Sequence, residues 1–219
     1  MNGALVVVAP RPGTPDALVG SLPAAERDRA GALHGDRRAE YIGGRVLARE
    51  LLAGELGCPP RDVPIVVDDA GRPGVAGPDP AAGVSFSLAH AGGLIAVAVS
   101  RAGDVGVDLE PDDRRPTALP WSCSPAERAW LAGRPPGERP AAFTRLWTRK
   151  EACVKARGTG IRHRLADVHC GPYPAGRWRD VWWRDVWVAD GFCAAVAITT
   201  GRDGFDVRLR HTTLTGRIR

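Results

Sequence analysis

The chain has 219 residues, of which 44% are hydrophobic and 25% charged, and a formal net charge of +5 at pH 7. This length suits one substantial globular domain or two small ones that share a core. The 27 Gly and 19 Pro residues make up about a fifth of the chain, short of the roughly 25–30% typical of low-complexity sequence. The positive excess suits an anionic substrate, an acidic protein partner or nucleic acid, so charge alone does not choose among them.

The five cysteines favour a reducing compartment. Their number is odd and no C-x-x-C pair occurs, which is typical of free thiols rather than of a disulfide framework or a zinc site. The first residues carry no basic segment and only a short apolar run, unlike an export signal. No segment approaches the roughly 18 apolar residues that a membrane span requires. We therefore expect a soluble, cytoplasmic protein with no membrane contact.

The first half of the sequence predicts a helix followed by antiparallel strands. Residues 24–56 have helical spacing, with an apolar face and a basic stripe of Arg38, Arg45 and Arg49 on a different face. Gly57-Cys-Pro-Pro60 ends this helix. Strands are predicted at 5–8, 65–68, 84–88 and 94–99, with a turn at 69–73.

The second half repeats this order. Residues 105–110 predict a strand and 111–120 a polar loop, and Ser124-Pro-Ala-Glu127 has the pattern of a capping box that opens a short helix. The further predictions are a long helix at 140–157 that stops at 158–160, a hairpin of 182–188 and 192–198 across Asp190-Gly191, and a last strand at 205–210. This order predicts an α+β fold of two similar halves, residues 1–103 and 104–219, in a pseudo-twofold arrangement.

Three carboxylates stand out as candidates for chemistry. Asp108 and Glu110 share one face of their strand, roughly 6–7 Å apart, because side chains alternate along a strand. Trp147, Glu151 and Lys155 lie at i, i+4 and i+8 on the long helix. A solvated strand end and a surface ion pair would explain each group separately. Together they suit a hard divalent cation beside a phosphate.

Three blocks of sequence resemble those of a known family. They are Phe86-Ser-Leu-Ala-His-Ala91, Gly106-Val-Asp-Leu-Glu110 and Trp147-Thr-Arg-Lys-Glu-Ala-Cys-Val-Lys155. In this order they resemble the F-[NS]-x-S-H-[ST], G-[IV]-D-[IL]-E and W-x-x-K-E-[AS]-x-x-K blocks of the 4′-phosphopantetheinyl transferases, specifically the surfactin-synthetase-activating type. The resemblance covers roughly residues 37–160.

The resemblance implies an activity and roles for the acidic residues. Members of the family transfer the 4′-phosphopantetheine arm of coenzyme A to a serine of an apo carrier protein. By resemblance, Asp108, Glu110 and Glu151 would hold Mg²⁺, which would offset charge on the leaving 3′,5′-ADP. Lys155 would contact the same phosphates. Glu151 is also a candidate base for the serine, directly or through water.

The resemblance further implies a site for the nucleotide end of coenzyme A. His90 would meet the 3′-phosphate, and Arg72 sits in a turn like the family's G-[KR]-P. Arg37, Arg38 and Arg45 resemble a basic helix near that phosphate, and a guanidinium suits bidentate phosphate contacts. Each could equally be a structural or solvated charge. Ala89 departs from the Ser or Thr that usually precedes the histidine, so we expect one hydroxyl contact to be missing.

Two further residues keep two interpretations each. Glu127 completes the capping box, which explains it without chemistry, although the family often has a glutamate here that is a candidate base. Lys150 either touches a phosphate or supports the site.

Other functions remain open at this stage. A coenzyme A or nucleotide hydrolase could use the same metal with water as nucleophile, and a non-catalytic relative could bind carriers only. A nucleic-acid-binding module fits poorly, because no zinc-finger, RNP-like or Walker pattern occurs. The carrier could belong to a polyketide, nonribosomal peptide or fatty-acid synthase, and by analogy we expect a monomer.

Overall fold

The computed structural model describes residues 3–68, 71–76, 83–114, 119–159 and 164–214. The helices in these ranges are α1 (Asp16–Val19), α2 (Ala24–Gly31), α3 (Gly35–Leu56), α4 (Leu119–Ser122), α5 (Pro125–Ala132) and α6 (Arg139–Arg157). The strands are β1 (Gly3–Pro10), β2 (Ile65–Val67), β3 (Pro73–Val75), β4 (Ser85–Ala91), β5 (Leu94–Ser100), β6 (Val105–Pro111), β7 (Ala175–Trp178), β8 (Val181–Asp185), β9 (Phe192–Thr199) and β10 (Asp206–His211). No helix in the described ranges has the length and apolar character needed to cross a membrane.

Two four-stranded sheets organise the chain. Their strand orders are β10-β1-β5-β4 and β6-β9-β8-β7, and β2 pairs with β3 in a separate ribbon. Neighbouring strands are antiparallel except β1 and β10, which are parallel. The long helix α3 packs on the first sheet and α6 on the second. The predicted α+β fold with two similar halves is confirmed.

Alternation along the strands builds the layers. On β5, Ile95, Val97 and Val99 face α3, whereas Ala96 and Ala98 face the other sheet. Val105, Val107 and Leu109 of β6 join the same inter-sheet core, as the sequence predicted. The side chains between the sheets include many Ala and Val, so the sheets pack face to face, each with its own helix outside.

Two serines connect the sheets at one side. The hydroxyls of Ser85 and Ser87 on β4 each accept a hydrogen bond from β6, from the backbone N–H groups of Val105 and Val107, at 3.1 Å. Since β4 and β6 are edge strands of different sheets, these bonds satisfy edge donors that would otherwise be buried without partners. The strand that carries Asp108 is therefore held beside the strand that carries His90.

The first half differs from the sequence prediction in two ways. Residues 24–56 form two helices, α2 and α3, rather than one. The predicted basic stripe is partly covered, because Arg49 is only 4% exposed and donates to both carboxylate oxygens of Glu26. Arg38 pairs with Asp16 of α1 at 2.6 Å. Acidic residues from α1 and α2 thus neutralise arginines of α3, which the pattern of α3 alone did not predict.

The second half differs mainly at its connections. The predicted loop at 111–120 is shorter, since β6 continues to Pro111 and α4 begins at Leu119. Residues 115–118 of this loop lie outside the described ranges. The same holds for residues 69–70 of the predicted turn at 69–73 and for residue 160 of the predicted stop at 158–160. The strands β8 and β9 form the predicted hairpin, but β8 ends at Asp185, so residues 186–191 connect them and Asp190-Gly191 is not a two-residue turn. The division of the chain after residue 103 stays a prediction, and β10 pairs across it with β1.

Gly106 allows α6 to lie directly on β6. A Cβ at this position would lie 2.0 Å from the carbonyl oxygen of Ala152 and 2.5 Å from the amide nitrogen of Ala156. Both are backbone atoms of α6, so they cannot move aside as a flexible side chain could. The helix therefore approaches the strand more closely than any residue other than glycine permits.

We predict that Gly106→Ala lowers the free energy of unfolding by about 2–3 kcal/mol, because the helix must shift away from the strand. Gly54→Ala is the matched control, since this exposed glycine inside α3 has no atom within 4 Å of the added Cβ. It should stabilise the protein by up to about 1 kcal/mol, the difference in helix propensity. Urea denaturation measures both. Equal effects of the two substitutions would contradict the close-approach argument.

A buried ion pair fixes α5 on α6. The predicted capping box is present, with Ser124 Oγ accepting from the Glu127 N–H and the Glu127 carboxylate accepting from the Ser124 N–H. Lys150, 1% exposed, donates to Glu127 Oε2 at 2.6 Å and to the Leu165 carbonyl oxygen at 2.9 Å. The other oxygen of Glu127 accepts from the Cys170 N–H. Both carboxylate oxygens of Glu127 and the ammonium of Lys150 thus have hydrogen-bond partners within the protein.

We predict that Lys150→Met destabilises the protein by about 3–5 kcal/mol, because it leaves the Glu127 carboxylate buried without a cation. The double variant Lys150→Met/Glu127→Gln should recover part of that loss, since no buried charge then remains. Urea denaturation of the two variants gives the comparison. A double variant less stable than Lys150→Met would show that the lost charge is not the cause.

Candidate active site

Asp108 and Lys155 form the centre of the candidate site. Asp108 lies on the α6 side of β6 and is 7% exposed. Lys155, in the last turn of α6, donates to Asp108 Oδ1 at 2.7 Å and to the Val107 carbonyl oxygen at 3.0 Å. The second oxygen, Asp108 Oδ2, is buried and has no hydrogen-bond partner among the described residues. A buried carboxylate oxygen without a partner is costly, and a bound cation would satisfy it.

Glu110, two residues further along β6, is held by Arg114. The Arg114 Nη1 atom lies 2.6 Å from Glu110 Oε1. Its guanidinium carbon lies 4.1 Å from the ring centroid of Trp147, one turn before Glu151 on α6. The sequence analysis missed Arg114, which falls in a polar segment where one arginine resembles any other. The available signal was a basic residue shortly after the acidic strand.

Glu151 completes a set of three interacting carboxylates. Burial raises the pKa of Glu151, the negative charge of Asp108 raises it further, and Lys155 opposes both. Burial likewise raises the pKa of Asp108, opposed chiefly by Lys155. Burial raises the pKa of Glu110, opposed chiefly by Arg114. The ionised forms are therefore destabilised in this site, as expected where negative charges gather out of water.

The donor set suits a hard cation, although its present arrangement is not a ligand cluster. Carboxylate oxygens are the ligands that Mg²⁺ prefers. Within the described part of the chain, no group of three or more His, Cys, Asp or Glu side chains is placed to hold one ion. Lys155 and Arg114 each donate a hydrogen bond to an oxygen of one strand carboxylate. The unpartnered Asp108 Oδ2 is the observation that fits a metal.

A basic cavity of about 620 Å³ lies in the first half of the chain. Arg37, Arg45 and His90, predicted to meet one phosphate, all line it, together with Tyr41 and Arg29. Carboxylates also line it: Glu26 lies 3.6 Å from Arg45, and Glu40 Oε2 lies 3.1 Å from His90 Nδ1. Arg38 does not line this cavity and pairs with Asp16 instead.

A smaller cavity of about 220 Å³ adjoins the basic one. Arg72, Ser87, Lys155 and Gly158 line it, and both cavities share Gly71, Pro73 and Leu88. Arg72 lies against Gly158, whose φ of 65° ends α6, and a Cβ there would lie 2.1 Å from Arg72 Nη1. The two cavities are therefore neighbours, and their linings together extend from His90 to Lys155, beside Asp108.

Three other predicted positions lie elsewhere. The Ala89 side chain is 5% exposed and packs in the core between the sheets, because β4 alternates and His90 faces the opposite way. A hydroxyl at this position would face that core rather than the cavity. Glu127 and Lys150 bind each other in the buried pair described above. Lys150 is therefore a supporting residue and has no access to a phosphate.

Comparison with known proteins identifies the family. A model of the 4′-phosphopantetheinyl transferase superfamily matches residues 104–190, and a model of the 4′-phosphopantetheinyl transferase N-terminal domain matches residues 25–100. The 4′-phosphopantetheinyl transferase AcpT of Salmonella typhimurium (strain LT2) is 35% identical over 148 residues, 66% of each chain. The chain thus spans slightly under two thirds of that relative's length.

A second relative aligns over more of the chain. The 4′-phosphopantetheinyl transferase HetI of Nostoc sp. (strain PCC 7120) is 32% identical over 194 residues, which are 84% of this chain and 81% of HetI. A putative 4′-phosphopantetheinyl transferase of Synechocystis sp. is 30% identical over 134 residues, 60% of this chain and 54% of that protein. From the two family models and the long alignment with HetI, the chain belongs to the 4′-phosphopantetheinyl transferase superfamily.

Proposed function

We propose that this protein transfers the 4′-phosphopantetheine group of coenzyme A to a serine hydroxyl of an apo carrier protein and releases 3′,5′-ADP. The observation that carries the proposal is that two neighbouring cavities, which share three lining residues, extend from His90 to the Lys155–Asp108 pair. The larger cavity carries basic side chains that suit an anion, and the smaller one reaches the charged groups of the candidate reaction centre. Coenzyme A has a 3′-phosphate at one end of its nucleotide and a pyrophosphate at the other.

The proposed orientation of coenzyme A follows from the charged residues that line the two cavities. The 3′-phosphate lies in the larger cavity, where Arg37, Arg45 and His90 converge. Guanidinium groups bind phosphate through two parallel hydrogen bonds, which favours arginine at this end. Arg72 contacts the nucleotide along the way, and Lys155 binds the pyrophosphate.

We propose that Asp108, Glu110 and Glu151 hold Mg²⁺ beside that pyrophosphate. The unpartnered Asp108 Oδ2 and the all-oxygen donor set support this assignment. Bound there, Mg²⁺ would supply a positive charge that stabilises the oxygen that leaves with 3′,5′-ADP. For Asp108 or Glu110 to bind Mg²⁺ through the oxygen that now accepts from Lys155 or Arg114, that hydrogen bond would need to break.

The chemical step is a displacement at the phosphorus attached to pantetheine. A new P–O bond forms from the serine Oγ, and the bond from that phosphorus to the bridging oxygen of the pyrophosphate breaks. Glu151 takes the serine proton, directly or through water, and 3′,5′-ADP leaves with the bonding electrons. Without a bound cation, burial and the negative charge of Asp108 raise the pKa of Glu151, whereas a bound Mg²⁺ would lower it and make the carboxylate a weaker base.

We further propose the surfactin-synthetase-activating type, a cytoplasmic monomer that acts on carriers of polyketide, nonribosomal peptide or fatty-acid synthases. Support comes from the two similar halves within one chain, since both sheets and both long helices are present without a second copy. The net charge of +5 favours encounter with an acidic carrier surface.

Intact-mass spectrometry of an apo carrier, incubated with the protein, coenzyme A and Mg²⁺, tests the transfer. We expect the carrier to gain one phosphopantetheine, and EDTA to prevent the gain. Glu151→Gln should reduce the rate about a hundredfold or more, since it removes the base and a metal ligand. Glu138→Gln, at an exposed residue next to α6, is the matched control and should leave the rate unchanged.

Failure to modify any of several apo carriers, while coenzyme A still binds, would sink the transferase assignment. Release of 3′,5′-ADP without carrier modification would instead indicate hydrolysis. Full activity in EDTA would remove the metal from the proposal and leave the transfer in place.

The raised pKa of Glu151 also predicts a pH-dependent stability. Its folded-state pKa exceeds the unfolded value, so the folded protein binds the proton more tightly and loses stability as pH rises through that window. In EDTA at pH 8, Glu151→Gln should therefore melt about 1–3 °C above the wild type. The difference should vanish near pH 4, about where a free carboxyl group titrates. Thermal melts across pH measure it, and a variant less stable than wild type at pH 8 would contradict it.

A further inference from the structure

Arg114 belongs to the carboxylate site but has no part in the transfer as proposed. It follows the end of β6 by three residues, and its side chain is one-third exposed, at 33%. Its guanidinium donates to Glu110 Oε1 at 2.6 Å and lies over the Trp147 ring. Arg114 is thus held on two sides, by a carboxylate in the guanidinium plane and by an aromatic face.

Trp147 is a fixed platform for this arginine. Its ring contacts Phe143 and Trp121, with centroids 6.1 Å and 6.5 Å away. Phe143 is fully buried, so the indole has little freedom to leave its position. This arrangement explains why an aromatic residue precedes Glu151 by one helical turn. The tryptophan places a positive charge at a defined point among the acids.

Two side-chain cations offset part of the charge of the three carboxylates. Lys155 binds Asp108 and Arg114 binds Glu110, and in the described part of the chain Glu151 makes no ion pair or side-chain hydrogen bond. The charge of Arg114 lowers the pKa of all three carboxyl groups, against the effect of burial. A divalent cation would bring the same total charge as these two side chains. The protein therefore already contains a substitute for part of the metal's charge.

We propose that Arg114 is a positioning residue that holds Glu110 while no divalent cation is bound and competes with the cation for that carboxylate. The inference rests on the proposed function, because it requires the metal site. A cation that binds Glu110 through Oε1 competes with the Arg114 hydrogen bond for that oxygen. The positive charge of Arg114 would also repel the cation.

The direction in which metal affinity changes when Arg114 is replaced separates this role from a structural one. Loss of a residue that merely supports the site would weaken metal binding, because the carboxylates would lose their positions. Loss of a competitor would tighten metal binding, because Glu110 becomes available and a repelling charge disappears. Metal affinity thus distinguishes the two roles without reference to the rate of transfer.

The probe is Mn²⁺, titrated into protein that is saturated with coenzyme A in the absence of carrier. Electron paramagnetic resonance measures the concentration of free Mn²⁺ at each step. We expect Arg114→Gln to bind Mn²⁺ about five- to tenfold more tightly than the wild type, the change expected when one partly exposed charge pair is lost. Arg114→Lys, which keeps the charge but loses the planar contact, should lie between them. Arg134→Gln is the matched control, because Arg134 also stacks on a tryptophan, Trp130, and pairs with a glutamate, away from the site.

Melting temperature gives a second reading. In EDTA, Arg114→Gln should melt below the wild type, because the carboxylates then repel each other with less compensation. Added Mn²⁺ should raise the melting temperature of Arg114→Gln more than that of the wild type, since a tighter ligand stabilises more.

Unchanged or weaker Mn²⁺ binding by Arg114→Gln, with normal binding by the wild type, would overturn the role of Arg114 alone. A wild type that takes up no Mn²⁺ in the presence of coenzyme A would remove the metal site from the proposed function and this inference with it. A wild type that binds Mn²⁺ but modifies no carrier would refute the transferase proposal separately.

Discussion

The direct contact between α6 and β6 determines where the carboxylates and Lys155 of the candidate site lie. Gly106 has no side chain, so the helix backbone rests on the strand at van der Waals distance. Two residues further along the strand, Asp108 then faces the last turn of the helix, where Lys155 reaches it. Glu151 lies one turn earlier on the same face. One helix–strand contact thus places these charged groups, and they sit on a strand and a helix rather than on loops.

Electrostatic compensation shapes the rest of the molecule as well as the site. Buried or partly buried acids meet basic side chains throughout: Glu26 meets Arg49, Glu127 meets Lys150, and Asp185 meets Arg149. In each of these pairs the charges are held by several hydrogen bonds, which is the condition for a buried pair to be tolerated. Asp108 differs, since one of its oxygens has no hydrogen-bond partner in the part of the chain that the structure describes. The other acids are held by hydrogen bonds that support the fold, whereas Asp108 keeps one oxygen available to a substrate or its metal ion.

Sequence patterns predicted the features that depend on local periodicity. The alternation of β6, the helical row from Trp147 to Lys155 and the capping box at Ser124 all follow from spacing, and the structure has them. Features that depend on distant partners were missed. Arg49 looked solvated because its partner, Glu26, belongs to another helix, and the ordered position of Arg114 depends on Trp147, which is far away in the sequence. The length of the β8–β9 connection was misjudged, because Asp190-Gly191 resembles a tight turn but β8 ends earlier.

The parallel pairing of β10 with β1 has a consequence for how the chain folds. These strands come from opposite ends of the sequence, yet β10 forms the outer edge of the first sheet. The first sheet therefore cannot be completed during synthesis until β10 has been made. Contacts of such long sequence separation carry a large loop-closure cost and slow folding. Until β10 arrives, β1 presents an open sheet edge, so the nascent first half is the stage at which this protein is most exposed to aggregation.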